Sequence, residues 1–366
     1  MWAKTILTSL QIVARQVSGV DGVAMSAKHA FGENVDRLIT VEMCFSPDFP
    51  YGVAAKLYEA ARRRFGGPLA MMAAEELMRR IEPESYVLIL TGMMIPPWNT
   101  AETDGPIGAA ALARILRIGF NALPVIVVDP SETTVRAVEA ACRGMGVGIV
   151  DLGDLGRVSY SASIQTFPLD VEGARRAADR LIGELGPSAV IAVERLGMNV
   201  RGEYHTAHGY NCSNWSPRMD YIVERAREVG VLTIGIGDHG NEIGFGAIAE
   251  EARKIVPYGE VCRCPCRGGI VCATETDILI VASISNWGAY GVEACLAYLK
   301  GDLELMHSPS LELRSIGECV GAGGIDGATS APTASVDAVP AELNAHLVEM
   351  LGFMLRSTRM RFKRHF

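Results

Sequence analysis

The stretch Thr233-Ile234-Gly235-Ile236-Gly237-Asp238-His239-Gly240-Asn241-Glu242-Ile243-Gly244-Phe245-Gly246 decides how the rest of the chain is read. It grows out of an apolar run over residues 231–236. It then breaks into five glycines within twelve residues, with an aspartate, a histidine, an asparagine and a glutamate between them. A helical pattern follows over 247–255. The local reading is strand, glycine-rich turn, helix, since glycine admits positive φ and close approach of the backbone to a ligand. Residues 235–240 fit G-x-G-x-x-G, which after a strand suggests a dinucleotide pyrophosphate at a helix N-terminus. Asp238 and Glu242 argue against that, because carboxylates repel phosphates, whereas a hard cation takes oxygen ligands. The plainer alternative is a helix-entry turn capped by Asp238 or Asn241.

Outward from this stretch, short apolar runs alternate with helical patterns. Strands are expected at 86–90, 125–128, 147–150, 189–193, 270–273 and 278–283. Helices are expected at 106–118, 132–142, 171–185, 218–229, 290–300 and 338–355, with 152–167 less regular. Continuous apolar strands joined by helices predict an α/β fold, a mainly parallel sheet flanked by helices in a three-layer, Rossmann-like arrangement. Helical patterns at 1–19, 53–65 and 70–81 predict an N-terminal helical segment, 1–82, packed on that globule. The α/β domain then takes 83–366. These helices either lie on the sheet, lid the site or form a subunit interface, and a homo-oligomer stays open.

The chain has 366 residues, 49% hydrophobic and 21% charged, enough for a substantial core in one large domain or two ordinary ones. A formal net charge of −8 disfavours general nucleic-acid binding, which needs basic faces. Nine scattered cysteines do not form a secreted disulfide framework and point to a reducing cytoplasm. Residues 1–20 lack acids and carry Lys4 and Arg15, but show no convincing apolar core or cleavage site of a targeting segment. No membrane span is expected, because no run of about 18 uncharged apolar residues occurs. Cys262, Cys264 and Cys266 alternate, with Cys272 nearby. Structural zinc sites usually show paired C-x2–4-C, so this spacing reads as ordinary thiols on one face of a strand interrupted by Pro265. G-x-S-x-G, P-loop and H-E-x-x-H motifs are absent.

In open α/β sheets ligands bind beyond the carboxyl ends of strands, so the loops there carry the candidate site. After residue 90 come Glu102, Thr103 and Asp104, with Pro106 behind them; Asp104 or Thr103 either caps the next helix or adds an acid to the rim. After residue 193 come Glu194, Arg195, Asn199, Arg201 and Tyr204, in a long polar, glycine- and aromatic-rich segment of the kind that binds ligands. Arginine suits carboxylate recognition, although Glu194 pairing with Arg195 or Arg201 is the simpler alternative. After residue 283 come Asn286 and Trp287, a hydrogen-bonding group beside an apolar wall or a core aromatic. Asp326 lies between glycines further on.

Glu102-Thr-Asp-Gly-Pro-Ile-Gly108, Glu194-Arg195 with its following Gly/Tyr/His segment, the central loop 235–246, Ser285-Asn-Trp-Gly288 and Gly324-Ile-Asp-Gly327 resemble, in the same order, the C-terminal domain of the D-glutamate cyclase family. The resemblance covers roughly residues 83–355. The family commonly has glycine where His239 stands, and the segment after Glu194 is divergent. The resemblance implies an acidic pocket binding Mg²⁺ or Mn²⁺, a small amino-acid or carboxylate substrate, and conversion of D-glutamate to 5-oxo-D-proline and water. The mammalian-type cyclase carries an N-terminal hydro-lyase-like domain that a chain of this length is not expected to hold. On that basis Glu194, Asp238 and Glu242 are expected to hold the ion, with Asp104 or Asp326 handling the amine. Arg195 or Arg201 would anchor the α-carboxylate, while Asn199, Tyr204 and Asn286 position the rest beside Glu102 and Asn241. His239 is a candidate for proton transfer or an outward-facing loop residue. A metal-dependent hydrolase or lyase on another small carboxylated substrate, or a non-catalytic binding protein, are the rival readings.

Overall fold

The computed structural model describes residues 25–43, 46 and 50–360. The helix expected at 1–19 lies outside these residues. Seven strands form one parallel sheet: β1 Tyr86–Leu90, β2 Leu123–Val128, β3 Gly148–Ile149, β4 Ser161–Thr166, β5 Ala189–Val193, β6 Leu232–Gly237 and β7 Ile278–Val281. Their spatial order is β3-β4-β2-β1-β5-β6-β7. The chain builds outward from β1 to one edge and then returns to the other side of β1 at β5. The crevice between β1 and β5 is therefore the topological switch point, where such sheets bind ligands.

The register explains the apolar strands. Ile164, Ile126, Ile89, Ile191, Ile234 and Ile278 stand side by side across six neighbouring strands. This row faces the larger core, which also takes apolar residues from α1 Ala27–Ile39, α2 Val53–Phe65, α3 Leu69–Arg80, α4 Pro106–Phe120 and α5 Glu132–Gly144. The alternate residues Leu88, Leu90, Val125, Val127, Val190 and Ala192 face a second core closed by α6 Val171–Leu185 and α7 Asp220–Glu228. Both faces are covered, so no strand needs a polar side. The three-layer α/β expectation is met.

The remaining helices are α8 Ala249–Ile255, α9 Ser285–Lys300, α10 Pro309–Gly321 and α11 Ala341–Ser357. Three local expectations change. Residues 161–166 form a strand that the polar Ser-Ala-Ser-Ile-Gln-Thr pattern concealed; it sits next to the sheet edge, where less burial is required. Residues 270–273 form no strand, because Cys272 N–H donates to Gly240 O and Ala273 N–H to Met198 O, two different partners that build no ladder. The helix expected from 290 begins at Ser285, so Asn286 and Trp287 lie in its first turn. The N-terminal helices pack on the body: Ser283 N–H donates to Ile39 O at 2.9 Å, and Ile39 touches the space beside Gly291.

Candidate active site

Glu194 is the first residue past β5 and Asp238 the first past β6. Glu194 holds φ at +46°, a left-handed conformation that is uncommon outside glycine and is characteristic of functional constraint. Its Oε2 accepts a 2.5 Å hydrogen bond from Ser285 Oγ. Gly105 makes room for it: with φ at +90°, a Cβ there would stand 2.9 Å from Glu194 Cβ and 2.6 Å from Thr91 Oγ1.

Asp104 and Asn286 lock two helix N-termini together. Asp104 accepts from the backbone N–H groups of Ser285 and Asn286 at 2.8 and 2.7 Å, filling orphan donors of α9. Asn286 Oδ1 accepts from Gly105 and Gly108 N–H at 2.9 and 2.7 Å, doing the same for α4. Asp104 thus caps the N-terminus of α9 and not, as expected, the helix that follows it.

The glycine-rich turn folds back on β6 instead of opening toward a nucleotide. A Cβ on Gly235 would meet Ile243 O at 2.3 Å. Glu242 closes the turn, its carboxylate accepting from His239 N–H at 3.0 Å and Gly240 N–H at 2.8 Å.

These elements bring an oxygen of Asp104, of Glu194 and of Asp238 within 4.8 Å of one another. Asp238 Oδ1 meets His239 Nδ1, while the buried Asp238 Oδ2 has no hydrogen-bond partner among the described residues. Glu102 Oε1 and Asn241 Oδ1 are also buried acceptors without a donor. Buried acceptors left open in this way are places for an ordered water, a shared proton or a cation. The Asp238–His239–Glu242 group offers a second, adjoining set of ligand atoms.

A pocket of about 780 Å³ opens over the cluster. Glu102, Glu194, Asp238, His239, Asn241 and Asp337 line it, beside an apolar wall that includes Met93, Leu196, Trp215 and Trp287. Val41, Glu42, Val53 and Ala54 close one side, so the N-terminal segment contributes directly. No described lysine or arginine lines it. Burial, reinforced by neighbouring carboxylates, pushes Glu102, Glu194, Asp238 and Asp337 well above the usual carboxylate range. Asp104 is pushed up to about 7 by burial, against the N–H groups of Asn286, Ser285 and Gly105 that pull it down. Burial pulls the His239 imidazole down, to about 3, while its Nδ1 stands against Asp238 Oδ1.

Several expected site residues serve the scaffold instead. Arg195 is fully buried and does not line the pocket; its Nη1 donates to Asp129 at 3.0 Å, and its Nε and Nη2 find no acceptor among the described residues. Arg201 is exposed on the loop surface and lines no part of the pocket. Asn199 donates to Gly269 O at 2.7 Å and accepts from Arg201 and Glu203 N–H, which shapes its own loop. Tyr204 spends its hydroxyl on Asp220. Asp326 accepts from Thr329 N–H, Ser335 Oγ and Ala338 N–H at 2.8, 2.5 and 2.8 Å, organising the segment that carries Asp337. Asp337, with φ at +48°, is the acid of this region that reaches the pocket. Nothing local in Ser335-Val336-Asp337-Ala338 marks it.

A family profile described as D-glutamate cyclase-like, C-terminal matches residues 56–352. The chain belongs to the D-glutamate cyclase-like family. Human D-glutamate cyclase, mitochondrial, is 27% identical over 244 residues, covering 63% of this chain and 36% of that protein. The chain therefore aligns with little more than a third of that relative. Among solved structures, a mandelate oxidase variant with 2-hydroxy-phenylacetamide matches at 14% identity over 84% of this chain and 93% of that one, with a TM-score of 0.22, too low to bear on fold or function. Glu194, Asp238 and the acids around them are thus the acidic pocket of a cyclase-like domain, equipped with groups able to hold a metal ion. No described helix is long and apolar enough to cross a membrane.

Proposed function

We propose that this cyclase-like domain is a divalent-metal-dependent lyase that closes D-glutamate, or a similar small amino acid, to 5-oxo-D-proline and water. The observation that carries the reading is Asp238 Oδ2, without a donor among the described residues, within a buried three-carboxylate cluster in a pocket that no described lysine or arginine lines. An all-oxygen donor set suits Mg²⁺ or Mn²⁺. Asp104, Glu194 and Asp238 would hold the ion, which when bound supplies Lewis-acid polarisation of the substrate γ-carboxylate.

The chain's own residues do the rest. The substrate enters as an ammonium and a γ-carboxylate. Nitrogen bonds to the γ-carboxyl carbon, one carboxyl oxygen leaves, and two protons from the ammonium depart with it as water. Asn241 Oδ1 would accept a hydrogen bond from the ammonium, and of the neighbouring carboxyls Glu102 and Asp337 the ionised one would take its proton while the protonated one acts as the acid. A carboxyl held protonated by burial returns a proton to the leaving oxygen, the role that a raised pKa suits near neutral pH. The apolar wall of Leu196, Trp215 and Trp287 keeps water from the lactam bond.

The test is an NMR assay of the purified protein with D-glutamate, L-glutamate and 5-oxoproline, run with EDTA, Mg²⁺ or Mn²⁺. Metal-dependent formation or hydrolysis of 5-oxo-D-proline supports the reading. Absence of turnover under every condition, with metal bound, removes it.

A further inference from the structure

The three alternating cysteines acquire a fourth partner in the fold. Residues 262–269 turn back on themselves instead of running as a strand, and His205 from the loop after β5 reaches the same spot. Cys262 Sγ lies 3.6 Å from Cys264 Sγ and 3.4 Å from Cys266 Sγ. His205 Nε2 lies 3.2 Å from Cys264 Sγ and 3.5 Å from Cys266 Sγ. All four donor atoms fall within 4.8 Å of one another. We propose that His205, Cys262, Cys264 and Cys266 form a structural zinc site.

The distances decide between alternatives. A disulfide needs sulfurs about 2.05 Å apart, so these thiols are not bonded to each other. A tetrahedron built on Zn–S of about 2.3 Å and Zn–N of about 2.0–2.1 Å has S···S edges of about 3.8 Å and S···N edges of about 3.6 Å. The observed separations lie a few tenths of an ångström below those edges, so a small outward movement admits the ion. Three sulfurs and an imidazole are a borderline-soft donor set, the wrong choice for Mg²⁺ or Mn²⁺ and the right one for zinc. Four protein ligands leave no position for water, which is the mark of a structural and not a catalytic site.

The surroundings fit thiolates. Cys266 N–H faces Cys264 Sγ at 3.4 Å, and Gly268 N–H faces Cys266 Sγ at 3.4 Å. Asn199 Nδ2 approaches Cys266 Sγ at 3.6 Å, and Asn211 Nδ2 approaches Cys264 Sγ at 3.8 Å. Such donors around the sulfurs supply the outer shell that metal ligands require. The site also has a mechanical consequence. His205 O accepts from Asn241 Nδ2 at 2.9 Å, and Thr206, Ala207 and His208 line the acidic pocket. Zinc would pin this wall to the 262–269 turn, whatever reaction the pocket performs.

The test is elemental analysis of the full chain purified without chelator from zinc-replete cells, followed by exchange into Co²⁺. About one zinc per chain is expected, together with the strong visible bands and thiolate charge transfer of tetrahedral cobalt. Cys264→Ser, Cys266→Ser and His205→Ala should each lower retained zinc at least ten-fold, whereas Asp238→Asn should retain it. The unaltered chain keeps the proposal falsifiable if those variants do not fold. A folded wild-type protein without zinc, giving no cobalt bands and leaving all three thiols open to alkylation, overturns it. Zinc that survives the cysteine and histidine changes but is lost in Asp238→Asn overturns it equally.

Discussion

Asp238 is poorly compensated in the acidic pocket: burial, Glu194 and Glu242 all disfavour its charge, and its Oδ2 has no donor among the described residues. A group in that position is kept at a cost in stability. Asp238→Asn, which preserves shape and removes charge, should therefore raise the unfolding temperature of the metal-free protein while reducing divalent-ion affinity and turnover by orders of magnitude, as calorimetry and the NMR assay would show. A fall in metal-free stability would mean that the carboxylate is structural. The two arginines separate as sharply. Truncating Arg195 strands Asp129 in the core, and breaking a buried pair costs roughly 3–5 kcal/mol. Arg201→Ala should stay within about 0.5 kcal/mol in denaturant melts and leave KM unchanged. The acids that the sequence singled out, Glu102, Asp104, Glu194, Asp238 and Glu242, lie near one another in the fold because they follow the carboxyl ends of neighbouring strands, where α/β sheets bind ligands. The contact of Arg195 with Asp129 was not legible, because the two lie 66 residues apart. Asp337 was missed because a network centred on Asp326, and no local pattern, turns that carboxylate inward.

At the scale of elements, the pocket depends on α4 and α9 holding each other's first turns. Asn286→Ala removes the acceptor for Gly108 N–H, leaving that buried donor unpaired, while Gly105 N–H keeps Asp104 Oδ1 at 3.0 Å. With one buried donor left unsatisfied, the expected loss is about 1–3 kcal/mol by chemical denaturation, with ion affinity falling as Asp104 loses its frame. Unchanged stability would show that the two helices are set by packing alone. The elements that the sequence displayed are those whose apolar pattern matches their burial, such as β1, β5 and α6. Those it misread answer to tertiary demands: β4 is polar near an edge, and 270–273, expected as a strand, is apolar because it is buried while its N–H groups go to separate partners. The cysteine turn belongs here too, since its fourth candidate ligand enters from a loop 59 residues before Cys264.

At the scale of the whole molecule, the acidic pocket predicts how stability responds to pH. Asp104 moves from an ordinary 3.8 to about 7 in the folded chain, and Glu102, Glu194, Asp238 and Asp337 move in the same direction. Between those limits the folded state holds protons that the unfolded state has released. This contribution is fully present below the unfolded pKa and is lost as pH rises through about 7. Metal-free protein should thus melt at progressively lower temperature from about pH 4 to 7, and saturating Mn²⁺ or Mg²⁺ should flatten or reverse that slope. Identical slopes with and without metal would remove the cation from the account. The most direct measurement of the central claim follows the α-protons of D-glutamate and 5-oxo-D-proline by NMR over the wild-type chain and Asp238→Asn, with Mn²⁺ and with EDTA. The account predicts interconversion only for wild type with metal. Turnover that persists in EDTA or in Asp238→Asn, or no turnover by metal-loaded wild type, would contradict it.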